Sequence, residues 1–194
     1  MKRKYSYIGL AVIILVFGVI VIPKIIERTV GNEVIENDRL NNNPDIHQKE
    51  LAYIILDGEK AKVPDFEFTN QKGDPISNKD LQGKVYVVDF FFTTCPTICP
   101  KMTSNLKDVE KNFRANPNFA IASFSINPEN DSPEILKEYA REYGIKNPNW
   151  YFLTGEREKI YELANKGFNL YVAENPEVAG NFQHSGYFAL VDQE

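Results

Sequence analysis

The chemistry of this chain is concentrated in the stretch Phe90-Phe91-Phe92-Thr93-Thr94-Cys95-Pro96-Thr97-Ile98-Cys99-Pro100. It holds the only two cysteines of the 194 residues, four positions apart and each followed by proline. Two cysteines are too few for a disulfide framework, and so short a loop adds little stability when closed. A close pair serves instead as a dithiol redox couple or as two soft metal ligands. From the spacing alone a disulfide, a reductase and a metal clasp all stay open. Pro96 and Pro100 bias Cys95 and Cys99 away from helical dihedrals, which predicts an ordered loop between them.

What must position these thiols is a strand before them and a helix after. Val85 to Phe92 is almost wholly apolar, the pattern of a strand buried on both faces. From Pro100 the period becomes helical, with Met102, Leu106, Val109 and Phe113 on one face. A helix opening at the cysteines points unpaired N–H groups and a positive dipole end at the sulfur, which favours thiolate. Met102 reads as a core residue of that face rather than a ligand. Asp89, six positions before Cys95, is either a buried acid assisting thiol proton transfer or a satisfied polar residue.

The domain begins near Leu51. Residues 63–69 alternate at period two and Gln71-Lys72-Gly73-Asp74 carries turn chemistry, so a hairpin is expected. Phe119 to Ile126 reads as a strand. Asp131 or Ser132 then caps a helix opening with Pro133, with Ile135, Leu136, Tyr139 and Tyr143 inward and Gly144 as its stop. Trp150 to Leu153 is a short strand, and Glu156 to Asn165 a helix with Ile160, Leu163 and Ala164 inward. A loop with Pro176 and Gly180 leads to a last strand, Tyr187 to Asp192. Alternating strands and helices give an α/β domain with a mixed, largely parallel central sheet.

Lys2-Arg3-Lys4 precedes an apolar run from Tyr5 to Ile22 that has no charge before Lys24. No small-residue cleavage site follows it. Residues 1–28 are therefore expected to be an uncleaved signal anchor, a single transmembrane segment with its positive flank in the cytoplasm. The domain is then expected on the extracytoplasmic, periplasmic side of the cell membrane. A cleaved signal peptide is the alternative. Residues 29–50 are a polar linker in which His47 has no assigned role, and residues 51–194 are the folded domain. The net charge of −5 excludes general nucleic-acid binding.

Val88-Asp89-Phe90 ahead of Cys95 resembles the strand entering a thioredoxin active site, but C-x-x-x-C-P is not the thioredoxin spacing. Phe92-Thr93-Thr94-Cys95-Pro96-Thr97-Ile98-Cys99-Pro100 resembles the Sco/SenC family of copper-binding, thioredoxin-like assembly factors. The similarity continues through Ser125-Ile126-Asn127-Pro128-Glu129-Asn130-Asp131-Ser132-Pro133-Glu134, Phe152-Leu153-Thr154-Gly155 and His184-Ser185. It implies a thioredoxin-like fold in which Cys95, Cys99 and His184 bind copper. Cys95 and Cys99 would also be a redox-active pair able to form a disulfide. The client implied is the copper-site subunit of cytochrome c oxidase, supplied through a copper donor protein. Two thiolates and an imidazole are a soft set suited to Cu(I), and the histidine extends it to Cu(II).

The chain departs from the family in carrying Thr94 before the first cysteine and Thr97 after Cys-Pro, where histidine and aspartate are frequent. Loss of a carboxylate beside the thiols favours thiolate. No proline precedes the last strand, where thioredoxins carry one in cis; Gln183-His184-Ser185-Gly186 stands there. A complete thioredoxin-like domain would continue past Tyr187–Asp192 with a strand and a covering helix, so a C-terminal truncation of the fold is expected, with one sheet face bare. The competing functions are a thiol-disulfide oxidoreductase or thiol peroxidase using Cys95 and Cys99, and a copper or redox sensor. A zinc site of two cysteines and a histidine is chemically feasible too.

Overall fold

The computed structural model describes residues 53–56 and 59–193. The expected anchor over 1–28, the linker over 29–50 and His47 lie outside the described residues. Among those described, no helix is long and apolar enough to cross a membrane.

The first elements are a two-residue ladder, β1 (Ile55–Leu56) with β2 (Glu59–Lys60), and the expected hairpin of β3 (Glu67–Asn70) and β4 (Pro75–Ser77). Asn70 shapes that turn, its Oδ1 accepting from the N–H groups of Lys72 and Asp74. A helical turn, α1 (Asn78–Leu81), leads through Gly83 at φ +75° into β5 (Val85–Phe91). Then follow α2 (Cys99–Phe113), β6 (Phe119–Ser125), α3 (Pro133–Glu142), β7 (Trp150–Thr154) and α4 (Arg157–Glu162). A π-helical turn, Leu163–Gly167, extends α4. The last elements are β8 (Val172–Glu174), β9 (Phe182–His184) and β10 (Ala189–Val191).

The main sheet runs β10-β5-β6-β7-β3-β4. Only β5, β6 and β7 are parallel to one another; β10, β3 and β4 pair antiparallel. The sheet is thus mixed, and the expectation of a largely parallel one holds only for its middle. Those middle strands are joined through helices, as parallel neighbours require. All seven residues of β6 are buried. Two aromatic groups fill the faces: Phe66, Phe68, Phe90 and Phe124 on one, and Phe91, Tyr139, Trp150 and Phe152 on the other.

Four local expectations need correction. Cys99 is the first residue of α2, with Pro100 second; the pre-proline restriction is a bias, and a first-turn proline sacrifices no helical hydrogen bond. Ile135 is 41% exposed, because its helix buries the Leu136–Tyr139–Ala140 side instead. The segment read as a loop around Pro176 and Gly180 is the β8–β9 hairpin, and the last strand is three residues rather than six. That strand lies at the sheet edge with Leu190 exposed.

Candidate metal and thiol site

The site sits where β5 and β6 end, the carboxyl end of the parallel strands. β5 continues into buried Phe92, and Cys95 closes a turn with its N–H on the Phe92 carbonyl at 3.2 Å. The start of α2 has no side-chain cap. The Cys95 sulfur takes that place, accepting from the Cys99 N–H at 3.4 Å. The helix thus spends an otherwise unpaired donor on stabilising a thiolate.

The loop before Cys95 is fastened by Asp131, which is fully buried. Its carboxyl accepts from the Thr93 N–H at 3.0 Å, the Thr93 hydroxyl at 2.5 Å, the Ser125 hydroxyl at 2.5 Å and Asn130 Nδ2 at 2.7 Å. Ser132, not Asp131, caps α3, accepting from the Ile135 N–H. The sequence offered Asp131 only as a cap; the 38-residue separation from Thr93 gave no local signal for its actual partner.

His184 comes from the end of β9. It lies with Cys95 and Cys99 in one group whose ligand atoms are all within 4.8 Å of one another, and its Nε2 is 3.1 Å from Cys99 Sγ. Nδ1 donates to the Ser185 carbonyl at 3.0 Å. A carbonyl only accepts, so Nδ1 carries a proton; with Nε2 protonated as well the ring can donate to a thiolate, and without that proton its Nε2 lone pair is left for a metal. A backbone carbonyl orienting the outer nitrogen in this way is the usual support of a metal-binding imidazole. Phe92 meets the ring edge-on at a centroid distance of 6.0 Å.

Both thiols are free and buried. The Cys95 thiol is held well below the usual thiol range, first by a hydrogen bond from Cys99; burial opposes this, and His184 and the Cys99 and Thr97 N–H groups add to it. Cys99 is pushed up by the same bond, then by burial and by the charges of Cys95 and Asp89. The pair therefore shares one proton, held on Cys99, and Cys95 is the thiolate. Its hydroxyl neighbour Thr97 lies 3.8 Å from the Cys95 sulfur. Two sulfurs and an imidazole nitrogen whose ligand atoms converge within 4.8 Å fit a soft cation, and they fit a dithiol couple equally. Met102 is buried on the apolar face of α2, in keeping with a core role.

Asp89 is buried beneath this group. Ser123 donates to its Oδ1 at 2.5 Å, and Trp150 Nε1 donates in turn to Ser123 Oγ at 3.0 Å. Burial pushes the Asp89 carboxyl up to about 7, against the opposing pull of Ser123 and His184. A carboxyl raised above its unfolded value costs nothing at low pH. Its penalty grows as pH rises through the window from near 3.8 to about 7 and is complete above it. Asp89→Asn, which can still accept from Ser123, is therefore expected to stabilise the protein at pH 8 by on the order of 3 kcal/mol. The gain should vanish toward pH 4. Urea unfolding of both proteins at several pH values checks this; an equal difference at every pH would contradict it.

A mixed sheet with central parallel strands, a cysteine pair at the strand–helix junction and a facing histidine define a thioredoxin-like fold with a thiol–imidazole centre. The SCO1/SenC family model matches residues 56–194, and the chain belongs to the SCO1/SenC family. The chain is 42% identical over 139 residues to the SCO1 protein homolog of Bacillus subtilis, covering 71% of this chain and 72% of that one. BsSco, a member of the Sco family of cytochrome c oxidase assembly proteins in which a disulfide switch has been identified, superposes with a TM-score of 0.61. The two are 40% identical, over 72% of this chain and 82% of BsSco. Arabidopsis thaliana ScoI, solved with copper bound, superposes with a TM-score of 0.57 at 26% identity, over 68% and 81% of the two chains.

Proposed function

We propose that this protein is a copper chaperone that binds one copper ion through Cys95, Cys99 and His184 and supports assembly of the binuclear copper site of cytochrome c oxidase. The observation that carries this reading is the convergence of the two sulfurs and Nε2 within 4.8 Å. Copper in the Arabidopsis relative and oxidase assembly in BsSco point the same way. Copper is cargo here. The chain's own part is to present a thiolate at Cys95, to shed the shared proton from Cys99 when the ion enters, and to aim the imidazole lone pair.

The apolar run over residues 5–22 supports tethering to the cell membrane with the domain on the extracytoplasmic side, beside an oxidase subunit. A copper donor protein and the client subunit are the proposed partners. A second reading is favoured by the unequal thiols: Cys95 as attacking thiolate and Cys99 as resolving thiol are what a reductase of client cysteines needs.

Anaerobic titration of the full chain with Cu(I), and separately with Cu(II), separates the two. One equivalent bound tightly, together with a Cu(II)–thiolate absorption that His184→Ala abolishes, is the expected result. No copper binding, with rapid turnover of a disulfide substrate, would overturn the chaperone reading in favour of the reductase.

A further inference from the structure

The hairpin that delivers His184 is not part of the main sheet: among the described strands, β8 and β9 form a ladder only with each other. The place of His184 over the cysteines therefore depends on what holds the hairpin. Its rungs are Val172 opposite His184, Ala173 opposite Gln183 and Glu174 opposite Phe182. The two outer rungs are both gripped from α4 and its π turn.

Asn165 grips the first. Its Oδ1 accepts from the Val172 N–H at 3.1 Å, and its Nδ2 donates to the Val172 carbonyl at 3.0 Å. A carboxamide making both bonds imitates the next strand of a ladder and fixes the residue directly across from His184. Asn165 also donates to the Tyr161 carbonyl at 2.9 Å. It stands in the π turn behind buried Leu163 and Ala164, so its backbone is tied to the core. Single π turns within helices are frequent at functional sites.

Arg157 grips the other rung. Its guanidinium pairs with Glu174 and lies over the Phe182 ring, 5.9 Å from the centroid. The same group pairs with Glu129, two residues before the Asp131 that fastens the Cys95 loop. Phe182 in turn packs on Phe92 at 5.2 Å, and Gly180, at φ +89°, brings the hairpin tip so close that a Cβ there would sit 2.9 Å from the Phe92 ring.

We infer that α4 and its π turn form a latch that sets His184 over Cys95 and Cys99, with Asn165 as the main positioning residue and Arg157 as a second, salt-sensitive one. Its consequence for copper rests on the three-ligand reading above; the latch itself does not. In the metal-free full chain, Asn165→Ala is expected to speed amide hydrogen exchange over residues 182–186 by about tenfold or more and to leave β5 and α2 unchanged. Unaltered exchange in the hairpin overturns the latch.

On the loaded chain, Asn165→Ala should hasten copper loss to a Cu(I) chelator by about tenfold, the lower end for loss of an outer partner of a metal ligand. Arg157→Gln should do so about two- to fivefold, shrinking between about 0.05 and 0.5 M salt. In a His184→Ala background Asn165→Ala should have no further effect on release, because it acts through the imidazole. The same factor in both backgrounds would mean a merely structural role and overturn the assignment. Absence of copper binding in the unsubstituted chain would defeat the metal reading, while the exchange experiment would still decide the latch.

Discussion

Cys99→Ser is expected to lower Cu(I) affinity by on the order of 100-fold or more, above the ~10–100-fold range typical of an outer partner of a ligand. A serine hydroxyl is hard and stays protonated, so the ion would keep one thiolate and one imidazole. Cys95→Ser should cost a similar amount, because it removes the sulfur whose pKa is lowered by its neighbours and which offers the ion a ready thiolate. The two variants are expected to differ in stability, with Cys95→Ser the less affected, since a serine Oγ is itself a good cap. Competition against a Cu(I) chelator of known affinity measures the first effect and urea unfolding the second. Retention of tight one-to-one binding by either variant would show that the sulfurs are not both ligands.

Legibility in the sequence followed the range of the interactions. The strand–cysteine–helix unit was readable because apolar runs and proline placement are local, and β5, the thiols and α2 stand where those signals put them. The β8–β9 hairpin was not, because three-residue strands are too short to show a period. The usable signal was Asn175-Pro176 and Gly180-Asn181, turn residues between two short apolar segments, with positive φ at Gly180 and Asn181. Asn165 and Arg157 gave no signal at all. On a helix whose inward face is Ile160, Leu163 and Ala164, periodicity marks a polar residue as outward and says nothing about which strand it meets. His184 was placed by likeness to a family rather than by pattern. The structure adds the physical reason: Ser185 orients the ring and Val172 anchors its strand.

Asp131→Ala is expected to cost about 3–5 kcal/mol, the largest stability loss of any single polar substitution near the site. The carboxyl is fully buried and serves the Thr93 N–H, the Thr93 hydroxyl and the Ser125 hydroxyl together. Hydroxyls can rotate toward other acceptors, but the Thr93 N–H is fixed by the chain and would be left unpaired, at about 1–3 kcal/mol alone. A void lined by polar groups adds to this. Asp131→Asn should fall between, because its amide keeps one acceptor but turns a donor toward groups that already donate. Urea unfolding reads both, with an unchanged m-value for Asp131→Ala if the folded state stays compact. The loss should also reach the chemistry: Thr93 is two residues from Cys95, so freeing it loosens the turn that sets the Cys95 sulfur against the start of α2. At temperatures where Asp131→Asn is still folded, Cys95 should therefore lose part of its thiolate character. Its alkylation rate against pH should shift to higher pH relative to the unsubstituted protein. A profile that coincides with it would confine Asp131 to stability alone.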